Sequence, residues 1–168
     1  MVESELIALG EKVVKRFKEE KLTLSFAESC TGGLASSLVT DIAGSSEYLI
    51  GSIVTYTNEA KHNLLKVNEA TLSAYGAVSE ETALEMAQGV RKLFGSDYGV
   101  GITGNAGPGG SEGKPVGLVY IAIATPDEVY CKEFNFTSTR VENKFRIALT
   151  AISMVIDKLK ENKLEELY

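Results

Sequence analysis

Two β-compatible runs, Gly117 to Thr125 and Val129 to Phe136, are joined only by Pro126-Asp127-Glu128, which forces them into an antiparallel hairpin; a parallel pair needs a crossover of about a dozen residues or more. The earlier part of the chain follows the other rule. Leu22 to Ala27, Tyr48 to Thr57 and Tyr98 to Thr103 are short strand-like runs, separated by segments long enough to hold crossover helices. A chain that combines both connections closes as a mixed sheet with helices on its faces. The predicted fold is therefore α/β, a three-layer α/β/α sandwich with a mixed five-stranded sheet.

The helices are legible in the intervening segments. From Glu3 to Glu20, Leu6, Leu9, Val13 and Phe17 recur at helical spacing among charges. Thr31-Gly32-Gly33 opens a helix from Leu34 to Asp41, with Leu34, Leu38 and Ile42 on one side. Asn58 reads as the N-cap of another, and Ser79 as the cap of a longer one that Gly95 stops, with Glu80 and Glu81 at its positive end. Val141 to Lys160 is the last, with Phe145, Leu149, Ile152, Ile156 and Leu159 as its buried stripe. In such sheets ligands sit beyond the carboxyl ends of the parallel strands. Those ends are segments 28–33, 56–61 and, if the third strand runs parallel to the first two, 104–114.

The 168 residues contain no repeat or linker, so the expectation is a single domain over residues 1–168. No long apolar run or signal pattern is present, which points to a cytoplasmic protein without membrane association. Two cysteines, Cys30 and Cys131, and one histidine, His62, argue against a disulfide framework or a zinc site. The formal charge of −6 would repel nucleic acid. Any anion has to be held by a local pocket. Self-association is left open, a homo-oligomer being compatible with the sequence.

Several motifs fail on context. Gly99-Val100-Gly101-Ile102-Thr103-Gly104 spells G-x-G-x-x-G, but its first half lies in a predicted strand and no helix follows. A P-loop would need Lys-Ser/Thr after Gly109, where Gly110-Ser111 stands. Ser111-Glu112-Gly113-Lys114 matches S-x-x-K in a Gly/Pro loop, whereas that motif has to stand on a helix turn. Cys30 with His62 would be a thiolate pair lacking a third group to orient the imidazole.

Four segments survive. In FAESCTGG, residues 26–33, Ser29 ends a strand before a glycine-assisted turn into a helix, a place that exposes a hydroxyl beside free backbone N–H groups and suits a nucleophile. The competing reading is that Ser29 or Thr31 merely caps the helix, worth about 1 kcal/mol. In VTYTNEAK, residues 54–61, Lys61 falls at the third helical position after Asn58. The positive end of the macrodipole should press its amine toward neutrality, as a general base for serine requires. Tyr56 can relay the proton or hold either partner; a solvated Lys61 and half-buried Tyr56 are the competing reading. TGNAGPGGSEGKPVG, residues 103–117, can bring backbone amides close to a small polar ligand, or be only a flexible lid. Thr137-Ser138-Thr139-Arg140, ahead of the last helix, favours phosphate or plain capping.

Together AESCTGG, DIAGSSEY, GSIVTYTNEAK, YGAVSEETA, GITGNAGPGG and KPVG, in this order over about residues 4 to 160, resemble the CinA C-terminal domain family, the nicotinamide-nucleotide amidohydrolases. The resemblance implies hydrolysis of the carboxamide of nicotinamide mononucleotide to nicotinic acid mononucleotide and ammonia, in pyridine nucleotide salvage, with no metal or organic cofactor. It implies catalysis by the residues here numbered Ser29, Lys61 and Tyr56. The oxyanion would rest on N–H groups around Thr31, Gly32 and Gly33. Thr103, Gly104, Asn105, Ala106 and Gly107 would grip the nucleotide, and Arg140 its phosphate. The family loop usually carries an aliphatic residue where Asn105 stands, so either this pocket differs in polarity or Asn105 makes a hydrogen bond that the family norm lacks, and substrate preference is left open on that point. Many relatives carry a second, N-terminal domain, and a stand-alone enzyme is the expectation for this chain. The alternatives are a non-catalytic nucleotide-binding or regulatory module and an enzyme with Cys30 as nucleophile.

Overall fold

A mixed sheet of five strands runs through the middle of the protein in the order β2-β1-β3-β4-β5. The computed structural model describes residues 2–165; Met1 and residues 166–168, the ends of the expected domain, lie outside the described residues. β1 (Leu24–Glu28) pairs in parallel with β2 (Leu49–Val54) and with β3 (Tyr98–Gly104). β4 (Leu118–Ala124) and β5 (Val129–Asn135) extend the sheet antiparallel, as the three-residue connection requires. Every residue of β1 is buried, as expected of a strand with helices on both faces.

The two faces are built from residues of different size. Phe26 of β1, Val100 and Ile102 of β3 and Val119, Ile121 and Ile123 of β4 point to one side, under α1 (Val2–Glu20), α2 (Leu34–Thr40) and α6 (Arg140–Glu165). This is the main core, joined by Val13 and Phe17 of α1 and by Ile147, Ala151 and Val155 of α6. The other side presents Gly99, Gly101, Ala122 and Ala124, against Ala83 and Ala87 of α5 (Glu80–Phe94). A Cβ on Gly101 would stand 2.5 Å from the carbonyl oxygen of Ala83, so only glycine lets α5 lie this close to β3. That accounts for the G-x-G spacing of residues 99–104. Gly99 and Gly101 serve helix-on-sheet contact, while Gly104 lies against Leu118 and Val119 of β4. Gly101→Val is expected to cost about 3 kcal/mol, the upper end of the range for overpacking. It should appear as a lowered urea midpoint at unchanged m-value.

The remaining helices are α3 (Asn58–Leu65) and α4 (Glu69–Tyr75), packed on α5. The N-cap of α3 is Thr57, whose extended backbone (φ −89°, ψ 160°) turns its side chain to accept from the Ala60 N–H at 3.1 Å. Asn58, expected as the cap, is already helical, so Lys61 stands one position deeper than the sequence suggested. Ser79 and Gly95 cap α5 as expected, Ser79 accepting from the Thr82 N–H at 3.2 Å and Gly95 adopting φ 64°. α4 was not anticipated, because none of its residues is buried and an unburied helix writes no apolar stripe.

The strand order also locates the site. The connection from β1 leads outward to β2 through α2, and the chain then returns on the opposite face to place β3 on the other side of β1. The chain thus diverges between β1 and β3. In open α/β sheets such a switch point leaves a crevice beyond the carboxyl ends of the two strands. Residues 29–33 and 104–117 follow those two ends.

Candidate active site

Glu28, the last residue of β1, is fully buried and organises the turn that follows. One carboxylate oxygen accepts from the Thr31 hydroxyl at 2.7 Å and the Ala35 N–H at 2.8 Å. The other accepts from the Ser36 N–H at 3.1 Å, the Ser36 hydroxyl at 2.7 Å and the Ser52 hydroxyl at 3.4 Å. The carboxylate therefore satisfies the open N–H groups of α2 where its N-cap, Gly33, has no side chain to do so. Neither Ser29 nor Thr31 caps that helix. Gly32 (φ 60°) and Gly33 (φ 99°) take left-handed conformations that let the chain swing from strand to helix within five residues.

Ser29 is released to face the next segment. Its N–H continues the ladder to the Ile102 carbonyl at 3.0 Å, which fixes it beside β3, and its Oγ lies 2.9 Å from Lys61 Nζ. Lys61 is completely buried, and its amine also donates to the carbonyls of Thr55 at 2.8 Å and Tyr56 at 3.1 Å. Carbonyl oxygens only accept, so these two consume two N–H groups. In the neutral amine the third direction is the lone pair, aimed at the serine hydroxyl. Burial lowers the Lys61 pKa from 10.5 to about 8, against the opposing influence of Cys30 and Glu112. The cause is removal from water, where the sequence had suggested the helix dipole.

Tyr56 is the member of the expected trio whose side chain turns elsewhere. Its ring is 60% exposed, and its hydroxyl accepts from an Arg140 N–H at 3.1 Å. Its backbone carbonyl is what holds Lys61. Arg140, the first residue of α6, also donates to the Gly107 carbonyl and so spans from Tyr56 to the glycine-rich loop.

Ser29, Tyr56, Lys61, Arg140 and the Thr103-Gly104-Asn105-Ala106 run line one cavity of about 370 Å³. Gly107 joins it through its bond to Arg140, whereas Thr31, Gly32 and Gly33 are not part of the lining. The Gly32 N–H is committed to the Ser29 carbonyl at 3.1 Å, which removes it from the expected oxyanion donors. The cavity wall opposite is formed by Ala77, Val78 and Glu112. Glu112 accepts from the N–H groups of Ala77 (2.8 Å) and Val78 (3.1 Å), and Lys114 donates to the carbonyls of Tyr75 and Val78. Ser111-Glu112-Gly113-Lys114 is therefore a clasp that pins the loop onto the segment before α5. These backbone N–H bonds and Lys114 hold the Glu112 carboxyl below its usual range although desolvation opposes them. A neighbouring hollow of about 730 Å³ shares Val78 with this cavity. Its Lys114 amine is tied up in the clasp, and burial pushes its Cys131 thiol up to about 12.

Cys30 lines the same cavity, but burial raises its thiol to about 12, far from the thiolate a nucleophile needs. The His62 ring is engaged elsewhere, meeting the Val67 carbonyl at 2.8 Å and Glu69 at 3.7 Å. Among the described residues no group of three His, Cys, Asp or Glu side chains is placed to hold a metal ion. No helix among them is long and apolar enough to cross a membrane.

Fold and site define an α/β sandwich protein with a buried serine–lysine pair at the mouth of its central parallel strands. The chain belongs to the CinA C-terminal domain family, whose profile it matches over residues 6–159. It is similar to a CinA-like protein of Endomicrobium trichonymphae, 52% identical over 142 residues that make up 84% of this chain and 33% of that protein. Among solved structures it is similar to the competence/damage inducible protein CihA from Agrobacterium tumefaciens, with 40% identity, a TM-score of 0.87 and coverage of 92% of this chain and 95% of that one. It also resembles the competence damage-inducible protein A (ComA) from Klebsiella pneumoniae, with 30% identity, a TM-score of 0.89 and coverage of 92% and 97%. The chain spans about a third of the length of the curated relatives it matches.

Proposed function

We propose that this chain hydrolyses the carboxamide of nicotinamide mononucleotide, with Ser29 as nucleophile and Lys61 as general base. The observation that carries the reading is the fully buried Lys61 amine, 2.9 Å from Ser29 Oγ with its other directions filled by two carbonyls. A buried amine with no carboxylate partner is costly for a fold to maintain, and its use is to be uncharged at working pH. The two side chains meet directly, so proton transfer needs no phenol between them. Tyr56 is assigned to the cavity wall, where with Arg140 it orients the mononucleotide, Arg140 facing the phosphate.

The Ser29 hydroxyl gives its proton to Lys61 Nζ as Oγ bonds to the amide carbon. The tetrahedral intermediate collapses with cleavage of the C–N bond, and Lys61 passes the proton to the departing ammonia. Water then loses a proton to Lys61 while attacking the ester, and the proton returns to Ser29 Oγ as acid is released. The N–H of Cys30, a residue that lines the cavity and makes no backbone–backbone hydrogen bond among the described residues, remains as a donor for the oxyanion.

The test is ammonia release from nicotinamide mononucleotide by the purified protein. Because only neutral Lys61 is a base, kcat/KM should rise with pH, with its midpoint near 8. Between pH 7 and 9 the increase should be about tenfold, the change in the neutral fraction of such an amine. Tight nucleotide binding without ammonia would instead mark a binding module. A rate falling over that interval would remove Lys61 as base.

A further inference from the structure

Among the described residues that line the cavity, Asn105 is the one with a buried side-chain donor left unpaired. It is 8% exposed, and its backbone is locked in the ladder, the N–H donating to the Leu118 carbonyl at 2.9 Å and the carbonyl accepting from the Gly117 N–H at 2.7 Å. Its side-chain oxygen accepts from the Gly107 N–H at 3.2 Å. That contact fixes the amide orientation, since an N–H can be met only by the oxygen, and turns Nδ2 the other way. Nδ2 is buried without any hydrogen-bond partner. An unpaired buried donor weakens a fold, so such a group persists where something outside the fold completes it.

The surroundings say what could complete it. Gly107 joins Asn105 to Arg140, taking Asn105 Oδ1 on its N–H and giving its carbonyl to the Arg140 guanidinium. Gly110 passes beside Nδ2, where an added Cβ would sit at an ordinary contact distance of 3.8 Å, so the glycine-rich loop borders this donor without a side chain against it. Asn105 thus presents a neutral donor, and Arg140 a cationic one, at the loop end of the cavity, while Ser29 and Lys61 occupy the end formed by β1 and α3. An array of a guanidinium, a side-chain amide and glycine backbone suits an oxyanion with several acceptor oxygens, above all a phosphoryl group.

We propose that Asn105 is a specificity-determining residue that donates from Nδ2 to the phosphoryl group of the bound mononucleotide, next to Arg140. The inference rests on the assignment of a mononucleotide to this cavity. It makes the protein discriminate against phosphate-free nucleosides beyond what the arginine alone achieves.

The test compares the thermal shift and the turnover produced by nicotinamide mononucleotide and by nicotinamide riboside, in the unmodified chain, in Asn105→Leu and in Asn105→Asp. The aspartate keeps an oxygen for the Gly107 N–H and places an anion where the donor was. In Asn105→Leu, affinity for the mononucleotide should fall about 10- to 100-fold, the range for a hydrogen bond to a charged group. It should fall further in Asn105→Asp. Affinity for the riboside should stay within about threefold in both; in ligand-free Asn105→Leu the removal of an unpaired donor opposes the loss of the acceptor for the Gly107 N–H, and a melting curve separates unfolding from weakened binding. Equal losses on both ligands, or none on the mononucleotide, would overturn the proposal, as would failure of the unmodified chain to bind the mononucleotide. Phosphate-dependent binding that needs Asn105 but yields no ammonia would sustain the proposal and refute the hydrolase reading alone.

Discussion

Lys61→Met is expected to lower the turnover of nicotinamide mononucleotide by about 10²–10⁴, the usual contribution of a positioned general base. Methionine fills the slot with a chain of similar length and no amine. The substitution removes a buried polar head but leaves the carbonyls of Thr55 and Tyr56 without the donor they have now. These effects oppose one another at about 1–3 kcal/mol each, so the fold should survive and a melting curve can separate unfolding from loss of chemistry. Lys61→Arg should be nearly as inactive although it keeps the charge, because a guanidinium does not act as a base at these pH values. Ser29→Ala should lose a similar factor. In the proposed reaction serine and lysine act as one unit, so the double variant Ser29→Ala/Lys61→Met should be scarcely worse than either single one. Additive losses would mean that the two groups do not share a proton. Lys61→Met with near-normal turnover would end the account.

The framework of this site was legible because its parts obey local rules. The β1 run is short and β-compatible, the hairpin is forced by its three-residue loop, and Ser79 and Gly95 mark the ends of α5 by their own conformational preferences. Ser29 and Lys61 came up as candidates for one site because strand ends gather at one edge of a parallel sheet, and the family resemblance selected them over plain capping and a solvated lysine. What local reading mishandled were the groups whose partners are distant in sequence. Tyr56 ends a strand-like run beside the base, yet its phenol is drawn to Arg140, 84 residues on. Glu112 and Lys114 look like part of a failed serine motif until the loop is seen folded onto residues 75–78. The depressed Lys61 pKa was expected from the dipole of α3, a local cause, but depth of burial outweighs it, and burial is fixed only by the complete fold.

Glu28 was missed for a related reason: an acidic residue closing an apolar run reads as the strand's polar end. Glu28→Ala is expected to destabilise the protein by about 3–5 kcal/mol, the scale for stripping one side of a buried charged network. For a chain of this size that lowers the melting temperature by about 10 °C or more. The loss has a definite origin. The N–H groups of Ala35 and Ser36 and the hydroxyl of Thr31 would be left buried or half-buried with no acceptor, and α2 begins at a glycine that cannot replace the cap. Glu28→Gln should cost less, since its oxygen can still serve Thr31 and Ala35, while its NH₂ would confront the Ser36 N–H. The same turn carries Ser29, so both variants should lose more in kcat than in KM, the mark of a displaced nucleophile rather than of weakened binding. If Glu28→Ala melted as the unmodified chain does, the carboxylate would not be the cap of α2. The hydroxyls of Ser29 and Thr31 would then return as its candidates, and the reason Ser29 is free to meet Lys61 would be gone.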